Sequence, residues 1–216
     1  MIIFDLDGTL WNTEKTCLKA AQEIVKKYDE LQDITLDMVR KGMGLSEIDN
    51  ARNYMPYLDD DKALYYLRLI DSTNRKYIEN EGAMVYTGVV DTIKKLCKNY
   101  RLGIVTNSTT SYAENFFKVS GLKEYFFDYM GAASYSLTKG ETIKAMIQKD
   151  NGVNSFYVGD IEKDMISAKE AGVNFIHAKY GFGTKLNTKY SINDISELPD
   201  LLDNINFNTV ITKLYK

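Results

Sequence analysis

Hydrophobic and polar positions define the first elements of this chain. An apolar run over residues 1–4 stops at Asp5, which is the pattern of a short buried strand. Over residues 14 to about 28, apolar side chains recur at helical spacing, and Asn12 or Thr13 is placed to cap the helix that this spacing predicts. The chain therefore opens with a strand followed by an amphipathic helix.

Helical patterns continue from there to about residue 85. Turn signals at Gly42, Gly44 and Pro56 separate the stretches, and the acids at 59–61 are placed to cap the last helix. We predict that residues 13–85, called the helical insertion below, are all-helical. Its later helical stretches are "TLDMVRKG", "SEIDNARNYM" and "DDDKALYYLRLIDSTNRKYIEN".

From about residue 86, strand and helix patterns alternate. This alternation predicts right-handed crossovers and a parallel sheet that helices cover on both faces. We therefore predict an α/β fold, with a doubly wound parallel-sheet (Rossmann-like) core over 1–12 and 86–216 and an all-helical cap over 13–85 inserted after the first strand. The predicted elements are helix 89–98, strand "RLGIVTN", helix 112–119, strand region "EYFFDYMGAAS", helix 141–149, strand "SFYVGD", helix 162–171 and strand "NFIHAKY".

Composition narrows the class of protein. The chain has 216 residues, of which 44% are hydrophobic and 26% charged, as in a globular protein, and its net charge of −3 argues against a nucleic-acid partner. No apolar run approaches the roughly 18 residues that a membrane span needs. Cys17 and Cys97 lie far apart and predict a reducing compartment, so the expected location is cytoplasmic. The sequence does not define an oligomeric state and is compatible with a monomer.

Polar residues follow the predicted strands of the core. Ligands bind at the carboxyl ends of parallel strands, so these residues are expected to meet at one edge. Several acids beside a lysine would repel one another unless a divalent cation joined them, and Mg²⁺ prefers carboxylate and carbonyl oxygens together with water and a phosphate. The set comprises Asp5 and Asp7 after the first strand, Thr106 and Asn107 after "LGIV", Asp160 with Asp164 after "FYVG", and Lys139 just before a helix.

This set suits phosphoryl transfer, which depends on positioning and on cations near the phosphate. Asp5 is a candidate nucleophile that would form an aspartyl phosphate. Asp7 is a candidate general acid and base. Gly8 permits a tight turn, and the Thr9 hydroxyl is placed to hold the loop.

Four motifs, in order and spacing, resemble those of the haloacid dehalogenase superfamily of phosphatases, and the chain looks phosphoglycolate-phosphatase-like. The resemblance implies that Asp5 is the nucleophile, Asp7 the general acid and base, and Lys139 the residue that neutralises the phosphoryl group. It implies phosphate binding by Thr106 and the backbone of Asn107. It also implies Mg²⁺ binding by Asp5, the Asp7 carbonyl and Asp160, with Asp164 in support. The motifs are "DLDGTL" at 5–10, "VTNS" at 105–108, Lys139 and "GDIEKD" at 159–164, followed by the similar segments "SAKEAGV" and "YGFG".

Two positions depart from that family pattern. Gly140 stands where a proline commonly follows the lysine, and Ile161 stands where a small hydroxyl residue is common. The first departure leaves Lys123 as a remote alternative to Lys139.

Three residues outside the four motifs have interpretations of their own. Arg40 and Lys41 would bind a substrate anion if their turn points at the active site, although cations at a helix end also suit the helix dipole. His177 lies in a strand-like run and is interpreted as a packed core residue.

The expected function is a Mg²⁺-dependent phosphatase acting on a small phosphorylated metabolite such as phosphoglycolate, a sugar phosphate or a nucleotide. A phosphomutase shares the chemistry, but the histidine that the β-phosphoglucomutase subgroup uses would fall at about Cys17. Dehalogenation is disfavoured because the members of the superfamily that catalyse it lack the second aspartate of the first motif, whereas Asp7 is present here. A phospho-receiver domain and a non-catalytic binding protein are alternatives of another class.

Overall fold

The computed structural model describes residues 1–150, 154–183 and 186–205, and a parallel sheet forms its centre. The sheet has six strands in the order β5-β4-β1-β6-β7-β8, and every pairing in it is parallel. The predicted Rossmann-like α/β fold is thereby confirmed. The strands are β1 (Ile2–Phe4), β2 (Trp11–Asn12), β3 (Met84–Val85), β4 (Leu102–Thr106), β5 (Asp128–Gly131), β6 (Phe156–Gly159), β7 (Asn174–Ala178) and β8 (Tyr190–Ile192).

Helices connect the strands and fill the insertion. No helix of the described ranges is both long and apolar enough to cross a membrane. The chain is also helical over 198–205 and makes 3₁₀ turns at Lys123–Tyr125 and Ile195–Glu197. The α-helices are α1 (Glu14–Val25), α2 (Leu36–Gly42), α3 (Glu47–Tyr54), α4 (Asp60–Glu81), α5 (Val89–Leu96), α6 (Thr110–Ser120), α7 (Ala132–Tyr135), α8 (Lys139–Asp150) and α9 (Glu162–Ala171).

Each face of the sheet has its own apolar core because successive side chains of a strand point to opposite faces. Ile2 and Phe4 belong to the cluster that includes residues of α5 and α6. Ile3 belongs to the cluster on the other face, which includes residues of α8 and α9. All three side chains are fully buried, as expected for a central strand covered on both sides.

The strand order brings the predicted site residues to one edge. β1 lies between β4 and β6, and Phe4 pairs with Ile104 on one side and with Val158 on the other. Asp5 therefore follows the last paired residue of β1, at the position where the strand order reverses. This topological switch point is where open parallel sheets bind ligands.

The helical insertion packs around a cluster of its own. Residues of α1 to α4, among them Ala21, Val39, Ala51 and Leu67, bury one another there. The prediction that residues 13–85 are all-helical is wrong at the end, because Met84–Val85 pairs antiparallel with Trp11–Asn12. The two chain crossings between insertion and core run side by side, so their backbones satisfy each other's hydrogen bonds.

Local capping sets several helix starts. The Asp59 side chain accepts a hydrogen bond from the Lys62 N–H, as predicted for the acids before α4. Thr138 and Glu141 form a capping box, in which each side chain accepts the other's backbone N–H at 3.2 and 2.8 Å. Lys139 consequently lies in the first turn of α8 rather than before the helix.

The strand region predicted for "EYFFDYMGAAS" is only partly correct. Asp128–Gly131 forms β5, but a 3₁₀ turn at Lys123–Tyr125 precedes it and the short helix α7 follows it directly. Phe126 packs into the core from the connection between the turn and β5, so its burial does not require a strand. An apolar aromatic run fits either state, and only the pairing with β4 defines which residues are strand.

Candidate active site

Three carboxylates and one ammonium group, far apart in sequence, converge at the carboxyl edge of the sheet. Lys139 Nζ donates to Asp5 Oδ1 at 2.7 Å and to Asp164 Oδ1 at 2.6 Å. Asp5, Asp160 and Asp164 each offer a carboxylate oxygen within 4.8 Å of the others. All four residues are buried, so the structure brings together most of the residues that the strand-end pattern singled out.

The loop after β1 approaches Asp160 closely because residue 8 is glycine. Gly8 has φ +83°, and a Cβ at this position would lie 2.2 Å from Asp160 Oδ2. The predicted role of the Thr9 hydroxyl is wrong, since its Oγ1 is buried and has no hydrogen-bond partner in the part of the chain that the structure describes. Backbone bonds hold the loop instead, with the N–H groups of Leu10 and Trp11 donating to Leu6 O.

Asp160 is oriented from the opposite side of the site. The N–H of Phe182, within the "YGFG" segment, donates to Asp160 Oδ2 at 2.7 Å. His177 is buried in β7 with Nε2 3.1 Å from Asp160 O, which agrees with its interpretation as a packed residue. The other carboxylate oxygen, Asp160 Oδ1, is buried and has no partner among the described residues.

This arrangement fits a divalent cation. The site has an excess of two negative charges when the Lys139 ammonium and the carboxylates of Asp5, Asp160 and Asp164 are all ionised. Buried charges of one sign are costly unless they are paired or bind a metal. A cation would supply both the missing charge and the missing partner of Asp160 Oδ1. The buried aspartate cluster can therefore bind a metal ion.

Burial and mutual repulsion dominate the electrostatics of the site. Burial raises the pKa of Asp5 to about 7, although the nearby Lys139 ammonium lowers it. Burial, followed by the charges of Asp164 and Asp5, raises the pKa of Asp160 well above its ordinary value. For Lys139, burial lowers the pKa, but the carboxylates of Asp164 and Asp5 outweigh it and the net shift is upward. The lysine is thus a fixed positive charge.

Asp164 has a supporting position. Its Oδ2 accepts the backbone N–H groups of Asp160 and Ile161 at 3.1 and 3.2 Å, while its Oδ1 accepts Lys139. Ile161 is the N-cap residue of α9 and has no side-chain acceptor, and Asp164, three residues later, accepts the Ile161 backbone N–H as the acid of a capping box does. The acid therefore fixes both the start of α9 and the position of the lysine.

Asp7 is anchored through one of its oxygens. Its Oδ1 accepts hydrogen bonds from Thr13 Oγ1 at 2.8 Å, the Tyr112 hydroxyl at 2.9 Å and Trp11 Nε1 at 3.0 Å. Its Oδ2 receives no hydrogen bond from any described residue. Burial raises the pKa of Asp7, while the bonds from Thr13, Tyr112 and Trp11 oppose that shift. One oxygen is held in place and the other is available for proton transfer.

The end of β4 contributes groups suited to phosphate. Thr106 is buried and its Oγ1 accepts the Ser108 N–H at 3.2 Å, whereas Asn107 is exposed. These three residues line one cavity together with Thr109, the N-cap of α6. The N-terminus of a helix carries a partial positive charge and free N–H groups, so this end of the cavity favours an anion.

The cavity lies between the sheet edge and the helical insertion and has a volume of about 540 Å³. Arg40 and Lys41 are not among the residues that line it, and Arg40 pairs with Glu14 at 3.0 Å instead. Arg75 of α4 is the cation that the insertion contributes to the lining within the described ranges. Substrate binding by Arg40 and Lys41 stays a prediction that this geometry does not favour.

The two departures from the family pattern have local explanations. A Cβ at Gly140 would lie 3.1 Å from Glu170 Cβ and 3.3 Å from Ser167 O, so α8 passes close to α9 at this residue. The Ile161 side chain reaches the insertion, with Cδ1 only 2.1 Å from where a Cβ at Gly44 would be. Lys123 lies over the Tyr129 ring, away from the acids, so the geometry supports Lys139 in preference to it.

Sequence reasoning missed several residues of the cavity. Tyr112 and the Phe182 N–H contact Asp7 and Asp160 from distant elements, and nothing in a sequence indicates which groups will meet in this way. For the insertion, the sequence did contain a signal that indicates which residues line the cavity. Asp71, Asn74 and Arg75 recur at i, i+3 and i+4 in α4, so they share one helix face, and all three line the cavity.

Comparisons with known proteins agree with this fold. A curated phosphoglycolate phosphatase of Aquifex aeolicus is 25% identical over 214 residues, covering 94% of this chain and 97% of its own. The pyrophosphatase PpaX of Listeria monocytogenes is 26% identical over 175 residues, covering 79% and 78%. The solved structure of a haloacid dehalogenase-like hydrolase from Streptococcus pneumoniae superposes with a TM-score of 0.83 at 21% identity, covering 93% and 97%.

The family-level match covers most of the chain. The sequence profile described as "Haloacid dehalogenase-like hydrolase" matches residues 2–178, a range that contains Asp5, Thr106, Lys139 and Asp160. By fold, by site geometry and by this match, the chain belongs to the haloacid dehalogenase-like hydrolase family.

Proposed function

We propose that this protein is a Mg²⁺-dependent phosphatase that hydrolyses a small phosphomonoester through a phosphorylated aspartate. The observation that carries the proposal is the convergence of Asp5, Asp160, Asp164 and Lys139 at one edge of the sheet. Folding alone does not require such a cluster, since buried charges cost free energy. The names of the curated relatives, phosphoglycolate phosphatase and pyrophosphatase, support hydrolysis of a phosphate compound.

Asp5 is the proposed nucleophile. Lys139 and, at 3.4 Å, the Tyr157 hydroxyl contact its Oδ1, so the carboxylate is fixed while Oδ2 receives no hydrogen bond from the described residues. Oδ2 attacks phosphorus, a new O–P bond forms, and the bond from phosphorus to the ester oxygen breaks. Lys139 remains beside the reacting group and offsets negative charge on the phosphoryl oxygens.

Asp7 is the proposed general acid and base. It gives a proton to the departing ester oxygen, and it then takes a proton from the water that attacks phosphorus and releases Asp5. Trp11, Thr13 and Tyr112 hold its Oδ1, so the proton moves at Oδ2. Thr106 and the backbone of Asn107 are proposed to bind the phosphoryl oxygens.

Mg²⁺ is the proposed cation because the donors are all hard oxygens. Asp5, Asp160 and the Asp7 carbonyl would hold it, with Asp164 in support, and it would supply positive charge at the phosphoryl group. We further propose that 1–12 and 86–216 form the catalytic core and that 13–85 form a cap which encloses the substrate. Two unpaired cysteines, Cys17 and Cys97, support a cytoplasmic location.

A phosphomutase is the second candidate within the same chemistry. Cys17 lines the cavity near the place where a mutase histidine is expected, but burial raises the pKa of its thiol. A thiol that stays protonated is a poor proton carrier near neutral pH. The geometry therefore favours hydrolysis over a retained bisphosphorylated intermediate.

Phosphate release with and without Mg²⁺ tests the proposal. p-Nitrophenyl phosphate serves as a substrate whose leaving group needs no specific contacts with the cap. Asp5→Asn removes the nucleophile with little change in side-chain shape. We expect hydrolysis that requires Mg²⁺ and falls at least about 10³-fold in Asp5→Asn. Equal activity of the two proteins would refute the proposal. An aspartyl phosphate that persists without hydrolysis would favour a receiver domain instead.

A further inference from the structure

The helical insertion forms one wall of the cavity, and this wall presents hydrogen-bond acceptor oxygens to the interior. Asp71 and Asn74 line it, and the Oδ1 of Asn74 is a buried oxygen that no described residue satisfies. Asn74 is only 8% exposed and its Oδ1 is buried without a donor among the described residues, while its Nδ2 donates to Cys17 Sγ at 3.1 Å. A buried acceptor without a donor costs free energy, so such a group in a binding site indicates a ligand that donates.

Asp71 strengthens this point because a carboxylate can only accept. It is partly buried in the cavity and forms no hydrogen bond or ion pair within the described ranges. Burial raises its pKa to about 6, although the charge of Arg75, one helical turn away, lowers it. The acid is therefore not neutralised by a close partner of its own.

Charge on this wall disfavours a second anion. Asp71 balances the positive charge of Arg75, and Glu47 is already paired with Arg68 at 2.8 Å, so this wall has no net positive charge to attract a second anion. A carboxylate at the far end of a substrate would face acceptor oxygens from Asp71 and Asn74, which it cannot satisfy. A hydroxyl both donates and accepts, so it satisfies Asp71 and pairs with the Asn74 amide whichever way that amide is turned.

Resting on the proposed phosphatase function, we propose that the leaving group is a neutral polyhydroxylated chain, as in a sugar phosphate or polyol phosphate, recognised by Asp71 and Asn74. The cavity of about 540 Å³ is consistent with this, because cavities of this size usually enclose ligands much larger than a two-carbon phosphate ester. Arg75 lies at the more exposed side and does not define the specificity.

Matched substrate pairs test the proposal on the whole protein. Sorbitol 6-phosphate and 6-phosphogluconate differ only in a terminal hydroxymethyl group against a carboxylate, and so do glycerol 3-phosphate and 3-phosphoglycerate. We expect kcat/KM to favour sorbitol 6-phosphate by about tenfold or more, since a site built for hydroxyls leaves its own polar groups unpaired with the wrong ligand. A ratio below about threefold in both pairs overturns the proposal.

Variants identify the residues responsible. Asp71→Asn is expected to raise the KM for sorbitol 6-phosphate about fivefold with kcat nearly unchanged, because a neutral amide oxygen accepts a hydrogen bond from a hydroxyl less strongly than a carboxylate does. Asp61→Asn is the matched control, since Asp61 lies exposed on the same helix outside the cavity lining, and it should change neither constant. If Asp71→Asn leaves KM and kcat unchanged, as Asp61→Asn is expected to, Asp71 does not recognise the leaving group and the proposal fails.

Three further measurements distinguish the possible outcomes. Asn74→Leu should also lower kcat/KM for sorbitol 6-phosphate, which provides a second test if Asp71→Asn folds poorly. A preference for 6-phosphogluconate that Arg75→Gln abolishes would overturn the proposal and assign an anion site to Arg75. Hydrolysis of p-nitrophenyl phosphate that depends on Asp5 isolates the proposed function, because that ester presents neither hydroxyl nor carboxylate to the insertion.

Discussion

Lys139 Nζ lies 2.7 Å from Asp5 Oδ1, although 134 residues separate the two in the chain. The lysine side chain is 5% exposed and the aspartate side chain 8%, so water screens this pair weakly. A second carboxylate, that of Asp164, lies 2.6 Å from the same ammonium group. The lysine is therefore the central positive charge of an otherwise acidic, buried site.

Replacing Lys139 by methionine should damage both stability and activity. The acids at 5 and 164 would remain buried without their counter-ion, and breaking a buried pair in this way costs about 3–5 kcal/mol. Loss of the positive charge beside the phosphoryl group should lower kcat by about 10²–10³-fold. Chemical denaturation and phosphate release measure the two effects on the same preparation.

Lys123→Met is the matched control for that prediction. Lys123 lies on the surface over Tyr129, and its replacement removes the same charge from a solvated position. We expect a change in the free energy of unfolding within about 0.5 kcal/mol and unchanged kcat. Equal losses in both variants would show that overall charge, rather than the pairing with Asp5 and Asp164, matters.

The core of the site was predictable because one geometric rule applies to it. Parallel strands place their carboxyl ends at the same edge, so Asp5, Thr106 and Asp160 could be grouped from three apolar runs and the residues that follow them. Lys139 follows no strand, and only its order among the motifs singled it out. The capping box of Thr138 and Glu141 explains its position, and this signal is visible in the sequence once the helix is known.

The insertion was less predictable for a physical reason. Helical periodicity shows which residues share a face, but the orientation of a helical unit over a sheet depends on tertiary packing. Arg40 was therefore expected at the cavity on the basis of a nearby turn, whereas it pairs with Glu14. Arg75 has the same charge, lies on α4 and lines the cavity.

Metal binding should stabilise the protein through Asp160. At a Mg²⁺ concentration about 100 times Kd, a ligand that binds the folded state alone adds about 2.7 kcal/mol to the free energy of unfolding. For a chain of this size that corresponds to a rise in Tm of roughly 5–10 °C. Asp160→Asn should lose this rise, since the buried and unpartnered Asp160 Oδ1 is the expected ligand atom.

Without metal, the Tm of Asp160→Asn and the Tm of the wild type should differ in the opposite direction. Asp160→Asn removes one of three crowded buried carboxylates while its side-chain oxygen can still accept the Phe182 N–H, so we expect its Tm without metal to match or exceed that of the wild type. Glu162→Gln, at an exposed neighbouring position, should retain the full Mg²⁺ response. A Mg²⁺-dependent rise in Tm that survives in Asp160→Asn would contradict the assignment.

Tyr112 should act by positioning Asp7. Tyr112→Phe removes one of three donors to Asp7 Oδ1 and preserves the ring packing against Trp11. We expect kcat to fall several-fold to about tenfold with KM nearly constant, and the free energy of unfolding to fall by about 1 kcal/mol. Tyr129→Phe, which removes a hydroxyl bonded to exposed Glu114, is the control and should leave kcat unchanged.

The stability of the helical insertion should depend on pH through Asp71. Burial raises the folded-state pKa of this carboxyl to about 6, above its usual 3.8 in the unfolded chain. The folded state then binds the proton more tightly, so the stabilising contribution of the protonated acid is complete below about pH 4 and is lost as the pH rises through about 6. Because the side chain is only partly buried, we expect a loss on the order of 1 kcal/mol rather than the full value of the shift.

Asp71→Asn should remove this dependence, since an amide does not titrate. The difference in unfolding free energy between Asp71→Asn and the wild type, measured by urea denaturation from pH 4 to pH 8, should grow in favour of the variant across that range and level off above about pH 7. Asp61→Asn changes an exposed acid of the same helix and should show a flat difference. A flat difference for Asp71→Asn as well would mean that Asp71 is solvated in the folded protein, which would also weaken its assignment as a buried acceptor in the cavity.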